Sequence, residues 1–321
     1  MPFATKRGKT RGRNATHIVL LASVVLLVIW TRLGAGNQPS EQIDSNTASR
    51  RIHGLVNDTR PSVAIVSCIT SHTDRFRYGT DQLMREKLLP SVYATISNEE
   101  RAEYRVEVIF GYDEDDLYWK QRSNQDVIQK LLDDTAQHIP VSFISLKNDR
   151  PNHIPFNQLC QYAYEVGIKY LVRINDDTHF ITPGWLTLAI NTLQSFTPPN
   201  VGVVGPKAMG DASTDREIMT HDMTYLPFHL AIFGTYYPEV FDNWYIDDWI
   251  SRVYSEDRTR KLNEWKVIHN QAYGTRYTPS TDQKALLDDQ VEKGRQKVSS
   301  FIKTYNLVGK VRSHEERRTD R

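Results

Sequence analysis

The chain has 321 residues and a mass of 37.1 kDa, room for one large domain or two modest ones, since domains usually run to about 100–200 residues. Hydrophobic residues make up 39% and charged residues 25%, and Gly (16) and Pro (14) are sparse, which excludes collagen-like, low-complexity and largely disordered chains. The net charge of +1 conceals an asymmetry: residues 1–33 carry Lys6, Arg7, Lys9, Arg11, Arg13 and Arg32 and no acid, so the remainder is net acidic and lacks the basic face that nucleic acid binding requires. Two cysteines, Cys68 and Cys160, are too few for a disulfide scaffold or a cysteine zinc site. Each lies in an apolar stretch and reads as a small buried hydrophobe.

The run Ile18–Trp30 has no charge, and extending it to residues 17–33 approaches the ~20 residues a membrane crossing wants. Five basic residues precede it and one follows, a bias that keeps the short N-terminus cytosolic and sends the body across as a type II signal anchor. A cleaved signal peptide is the rival, with Gly34-Ala35-Gly36 as small residues near a cleavage point and Arg32 weighing against it. Either way residues 34–321 are lumenal or extracellular, away from nucleic acid, and in the anchored reading they are held at the membrane. Residues 34–60 are polar, without an apolar period, and read as a stem.

Ordered structure is expected from Pro61. Residues 62–70 form a β-branched apolar run, a strand buried on both faces. A helix follows over 80–98, kinked at Pro90, then a strand over 104–111, a helix over 125–137, a strand over 141–146, a helix over 156–168 and a strand over 169–174. This alternation predicts right-handed crossovers and a mainly parallel sheet with helices on both faces, binding ligands at the C-terminal strand ends. Beyond Thr182 the pattern loosens: a helix over 183–195, a strand over 201–205, an irregular stretch to Asp242, and helices over 247–255 and 281–304. The last nine residues carry six charges and read as disordered.

Asp-Asp dipeptides occur five times, so context decides among them. Pairs 133–134 and 288–289 lie on polar helix faces and read as solvated. Pair 176–177 directly follows a buried strand, giving Asn175-Asp176-Asp177, oxygen donors suited to Mn²⁺ or Mg²⁺ or, alternatively, a simple Asx turn. The second strand ends in Asp113-Glu114-Asp115-Asp116, an acidic turn at the same crevice or a solvated loop. The helix starting near Asn157 is expected to face its N-terminus away from the Asn-Asp-Asp end. Aromatics crowd around Asp247-Asp248: Trp244, Tyr245 and Trp249 read as rings that stack on sugars, or as the packing of an amphipathic helix. Partial burial would suit one of those two acids to general-base use. His269 ends a short apolar run, as a metal ligand or a structural histidine.

In this order, a βαβ opening, an Asp-x-Asp-like triplet (Asn175-Asp176-Asp177), an acidic pair before a helix (Asp247-Asp248) and a late histidine (His269), the chain resembles the GT-A superfamily of nucleotide-sugar glycosyltransferases over residues 61–280. The Asp-Asp-Trp among aromatics is similar to inverting N-acetylglucosaminyltransferases, and the anchor and stem repeat the layout of Golgi members. The resemblance implies an α/β GT-A fold after a transmembrane helix, and Mn²⁺ or Mg²⁺ held by Asp177, Asn175 or Asp176, and His269. It implies donor contacts from Thr70, Asp113, Asn157 and Asp176, and a catalytic base at Asp247 or Asp248. The first metal position is Asn175 where the family pattern has a carboxylate.

The expected organisation is a cytosolic tail (1–16), an anchor (17–33), a stem (34–60), a catalytic domain (61–304) and a charged disordered end (305–321), in the Golgi or ER lumen. The expected partners are a nucleotide-sugar donor and a glycan or glycoconjugate acceptor. A non-catalytic carbohydrate-binding protein and a metal-dependent phosphoester hydrolase are the other readings. The lumenal orientation makes Asn57-Asp58-Thr59 a usable glycosylation site. In a eukaryotic host, a glycosidase-sensitive mass shift is expected to survive Asn14→Gln and vanish with Asn57→Gln; its absence from the natural sequence would argue against that orientation.

Overall fold

The computed structural model describes residues 58–71, 83–133, 139–150, 152–209, 218–269 and 281–319. The expected tail and anchor, and the stem up to residue 57, lie outside these residues. Among those described, no helix is long and apolar enough to cross a membrane. Asp44–Phe301 make one compact unit, and the end of the last helix, from Ile302, belongs to a second.

Among the described residues, eight strands, β1 (Ser62–Ile69), β2 (Arg105–Asp113), β3 (Val141–Leu146), β4 (Tyr170–Arg173), β5 (Thr178–Phe180), β6 (Val203–Met209), β7 (Asp222–Tyr225) and β8 (Thr259–His269), form one sheet. Their order is β3-β2-β1-β4-β7-β6-β8-β5. All eight residues of β1 are buried, as a central strand covered on both faces demands. β1 pairs in parallel with β2 and β4, and β2 with β3, so the first half follows the expected alternation.

The second half departs from a mainly parallel sheet. β7 runs antiparallel to both β4 and β6, and β5 antiparallel to β8, while β6 and β8 are parallel. β7 and the helix after it fall in the stretch expected to be irregular. Asp-Met-Thr-Tyr is too short and polar to show as a strand, and Leu226–Phe233 is apolar all round, so it lacks the one-sided period of a surface helix.

The helices are α1 (Leu89–Thr95), α2 (Asn98–Glu103), α3 (Arg122–Asp133), α4 (Phe156–Glu165), α5 (Trp185–Ser195), α6 (Leu226–Phe233), α7 (Ile246–Val253) and α8 (Leu287–Thr319). The helix expected over 80–98 is divided. A π-helical turn, Met84–Leu88, runs directly into α1, whose second residue is Pro90, and α2 starts afresh at a reciprocal cap. In that cap Ser97 Oγ accepts from Glu100 N at 3.2 Å and Glu100 Oε2 accepts from Ser97 N at 2.9 Å. The charged end expected to lack structure continues α8 to Thr319.

One face of the sheet packs Trp185 against Trp265, rings stacked with centroids 4.8 Å apart. Elsewhere, α6, α7 and α8 enclose Phe233, Trp249 and Tyr254. α8 approaches α7 at Gly294, where a Cβ would overlap Val253 Cγ2. Cys68 and Cys160 are buried thiols, in keeping with their reading as small hydrophobes.

His229, in the middle of α6, is buried and doubly bonded: Nε2 to the Tyr236 carbonyl at 2.8 Å and Nδ1 to the Tyr254 hydroxyl at 2.9 Å. Burial drives its pKa down to about 4. The unfolded chain therefore binds the proton first, and stability is lost as the pH falls from about 6.5 through about 4. This residue alone is expected to cost about 3 kcal/mol across that window. Urea titrations at pH 7 and pH 4.5 should show a smaller acid penalty for His229→Gln than for the natural sequence.

Candidate functional site

The end of β4 is a tight turn. Both the backbone N–H and the hydroxyl of Thr178 donate to the Asn175 carbonyl, at 3.2 and 2.7 Å, placing Asp176 and Asp177 at the two corners. The chain then enters β5, whose first residue, Thr178, pairs with His269 at the end of β8. That register lays His269 over the turn. Its Nε2 lies 3.0 Å from the Asn175 side-chain amide nitrogen and 3.3 Å from Asp177 Oδ1. Asp176 is 3% exposed, and Asp177 is the carboxylate on the His269 side.

Among the described residues, His, Cys, Asp and Glu alone form no group of three that could hold a metal. Asn175 completes the set that sequence order implied. A half-turn of its amide, which exchanges Oδ1 and Nδ2, brings an oxygen next to His269 Nε2. Cis ligands on an octahedral cation with bonds of about 2.1 Å lie ~3 Å apart, so Nε2 separations of 3.0 and 3.3 Å suit one face of Mn²⁺ or Mg²⁺.

Two residues upstream, Arg173 is buried, 1% exposed, and bonded through all three guanidinium nitrogens. Its Nε donates to Asp222 Oδ2 at 3.0 Å and to the Tyr237 hydroxyl at 2.7 Å, and Nη1 to the Thr220 carbonyl at 2.7 Å. Nη2 donates to Asp247 Oδ1. Tyr236 and Tyr237 also donate to Asp222, at 2.5 and 2.8 Å. Burial opposes charge on Arg173, but Tyr237, Asp247 and Asp222 outweigh it and hold the guanidinium well above its usual range. Arg173 thus ties β4 to the start of α7, which carries Asp247 and Asp248. Asp248 is half-buried, one residue and about 100° further round the helix.

At the neighbouring strand ends, Ile69 pairs with Tyr112, so Thr70 and Asp113 stand side by side. Thr70 is buried, and Asp113 Oδ1 accepts from Asn148 at 3.1 Å. The organiser of this corner is Asp116, fully buried, which accepts from Ser71 N (2.6 Å), Ser71 Oγ (2.5 Å), Trp119 N (3.1 Å), Tyr118 N (3.2 Å) and, at 3.5 Å, Thr70 Oγ1. Its place in an acidic run disguised it as a solvated residue. Arg173 left a better signal: a charge inside an apolar strand must be paired.

Asn157 corrects the expectation about its helix. In a parallel unit the helix leaves from the C-terminal edge of the preceding strand, so α4 begins at the same edge as the turn. The Asn157 amide donates to the Tyr237 carbonyl at 3.0 Å and accepts from Tyr237 N at 2.8 Å, fixing the residue whose hydroxyl meets Arg173. Trp249 is a second correction. It is 2% exposed, packs on Phe233 at 5.0 Å between ring centroids and donates to the Gln290 carbonyl at 3.2 Å, so it offers no face to a sugar. Trp244, 39% exposed, and half-buried Tyr245 remain on the loop before α7; Tyr245 takes a left-handed φ of 71° at the helix N-cap.

The sequence matches no family model and no curated protein. Among solved structures, S. aureus TarS 1–349 is similar with a TM-score of 0.49 and 9% identity, over 76% of this chain and 70% of that one. Its complex with UDP-GlcNAc gives 0.47 and 11%, over 76% and 72%, and its complex with UDP 0.43 and 10%, over 75% and 69%.

Removing the Asp116 carboxylate orphans several buried donors at once. Asp116→Ala is expected to cost about 3 kcal/mol in denaturant unfolding and to raise amide exchange at Ser71 and Trp119 well before global unfolding.

Proposed function

We propose that the protein is a metal-dependent glycosyltransferase that moves a sugar from a nucleoside diphosphate donor to an acceptor hydroxyl with inversion. The observation that carries this reading is the convergence at one sheet edge of Asn175, Asp177 and His269 with an acidic pair, Asp247-Asp248, tied to the same strand by Arg173. An open edge of parallel strand ends is where such sheets take nucleotides, and the position of Thr70 and Asp113 at the adjoining ends supports a nucleoside contact there.

The residues divide the work. Asn175, Asp177 and His269 would hold Mn²⁺ or Mg²⁺, which supplies charge neutralisation for the diphosphate. Asp247 is committed to a buried guanidinium, and protonating it would strip Arg173 of a partner. Asp248 is therefore the base: its carboxylate takes the proton of the acceptor hydroxyl as that oxygen bonds to the anomeric carbon and the bond to the diphosphate oxygen breaks. Attack opposite the leaving group inverts the centre. Trp244 and Tyr245, just before this helix, suit the acceptor, a glycan or glycoconjugate, whose sugar faces stack on rings. With residues 17–33 as a type II anchor, the reaction belongs to the Golgi or ER lumen.

Asp248→Asn is expected to lower kcat by roughly 10²–10⁴ with donor KM nearly unchanged. Wild-type turnover in that variant would remove the base assignment. Calorimetry with a panel of nucleotide sugars, with and without Mn²⁺, should show metal-dependent binding that Asp177→Ala abolishes. Donor cleavage at full rate with no acceptor would point to a hydrolase instead.

A further inference from the structure

Thr220, His221 and Asp222, which lead into β7 beside the end of β4, grip the Asn175–Asp177 turn from both sides. On the near side, the Thr220 carbonyl and Asp222 carboxylate both take Arg173. On the far side, His221 Nε2 lies 2.7 Å from Thr178 Oγ1. Both His221 and Thr178 are fully buried, so their polar atoms must be satisfied inside the protein.

The directions of these bonds follow from donor supply. The Thr178 hydroxyl hydrogen goes to the Asn175 carbonyl at 2.7 Å, so Thr178 Oγ1 accepts from His221 and the imidazole proton sits on Nε2. Nδ1 then accepts from Thr220 Oγ1 at 3.0 Å. One chain of hydrogen bonds runs from the Thr220 hydroxyl through the ring and Thr178 to the first residue of the turn. The same ring stands edge-on to His269, centroids 5.3 Å apart at 86°. Gly205 on β6 makes room for the His221 backbone: a Cβ there would overlap the His221 carbonyl oxygen and lie 2.8 Å from Met219 Sδ.

We infer that His221 is a positioning residue for the cation set, fixing the Asn175 end of the turn through Thr178 and backing the His269 ring. The inference rests on the reading that Asn175, Asp177 and His269 take Mn²⁺ or Mg²⁺. It assigns to a residue with no cation contact of its own the task of orienting two of the three ligands, a kind of support whose loss typically weakens metal binding about 10–100-fold.

The test is Mn²⁺ binding to the full chain by calorimetry, with the thermal midpoint measured alongside. Thr178→Val, nearly isosteric, and His221→Phe are expected to weaken Mn²⁺ affinity at least about ten-fold. His221→Gln, whose amide N–H can still donate to Thr178, should keep affinity within about three-fold of wild type, which a loss through packing alone would not do. Gly205→Ala, which leaves every polar group in place, should weaken Mn²⁺ affinity by displacing the His221 backbone. If the natural sequence binds no Mn²⁺, the metal reading fails and this inference with it. If it binds Mn²⁺ and Thr178→Val binds equally well, the metal reading stands and His221 has no positioning role.

Discussion

A buried guanidinium is the constraint on which the middle of the molecule depends. Taking an ion out of water costs several kcal/mol, recovered only when its donors find partners. Arg173 finds them on Asp222, Tyr237, Thr220 and Asp247, from β7 and the residues leading into it, the loop before α7, and α7 itself. None of these segments is its sequence neighbour. The requirement to satisfy one side chain therefore draws together a strand end, an antiparallel strand and the helix with the acidic pair, and Asn157 braces the arrangement through Tyr237. Replacing any one partner leaves a charge or a donor stranded, so the cluster acts as a unit.

The first half of the fold was legible because its elements are dictated locally. β1 is buried along its whole length and apolar at all but two serines, and β3 spans the same Val141–Leu146 that its sequence predicts. The second half was less so, because its elements owe their existence to distant partners. β5 is three residues long and exists through its pairing with β8, and β7 is held beside β4. α6 is apolar on every side and therefore silent as a period. α2 was missed for a different reason: its Ser97 and Glu100 signature straddled the end of the helix expected over 80–98, and Asn98–Glu103 carries almost no apolar residue to mark a period.

The candidate site divides along the same line. Asn175, Asp177 and His269 were legible as residue types in order, and the fold places them within hydrogen-bonding reach. Burial, by contrast, is not written in a dipeptide. Asp116 and Asp248 look alike in sequence, yet one is a sealed hub of five donors and the other is half-buried at a helix start. Trp249 and Trp244 are similarly indistinguishable until α8 covers the first and leaves the second at the surface.

The pairing of Thr178 with His269 sets a condition on how the molecule is made. Side chains alternate along a strand, so sliding β8 by one residue would turn His269 to the opposite face and offer Ile268 in its place. The turn at Asn175 is formed by local bonds, but the imidazole that meets it arrives 94 positions later. A chain still emerging from the ribosome can hold the first part of the site without the last. The proposed cation set of Asn175, Asp177 and His269 is therefore complete only when β8 pairs in this register, and a misaligned β8 would leave the turn without its imidazole.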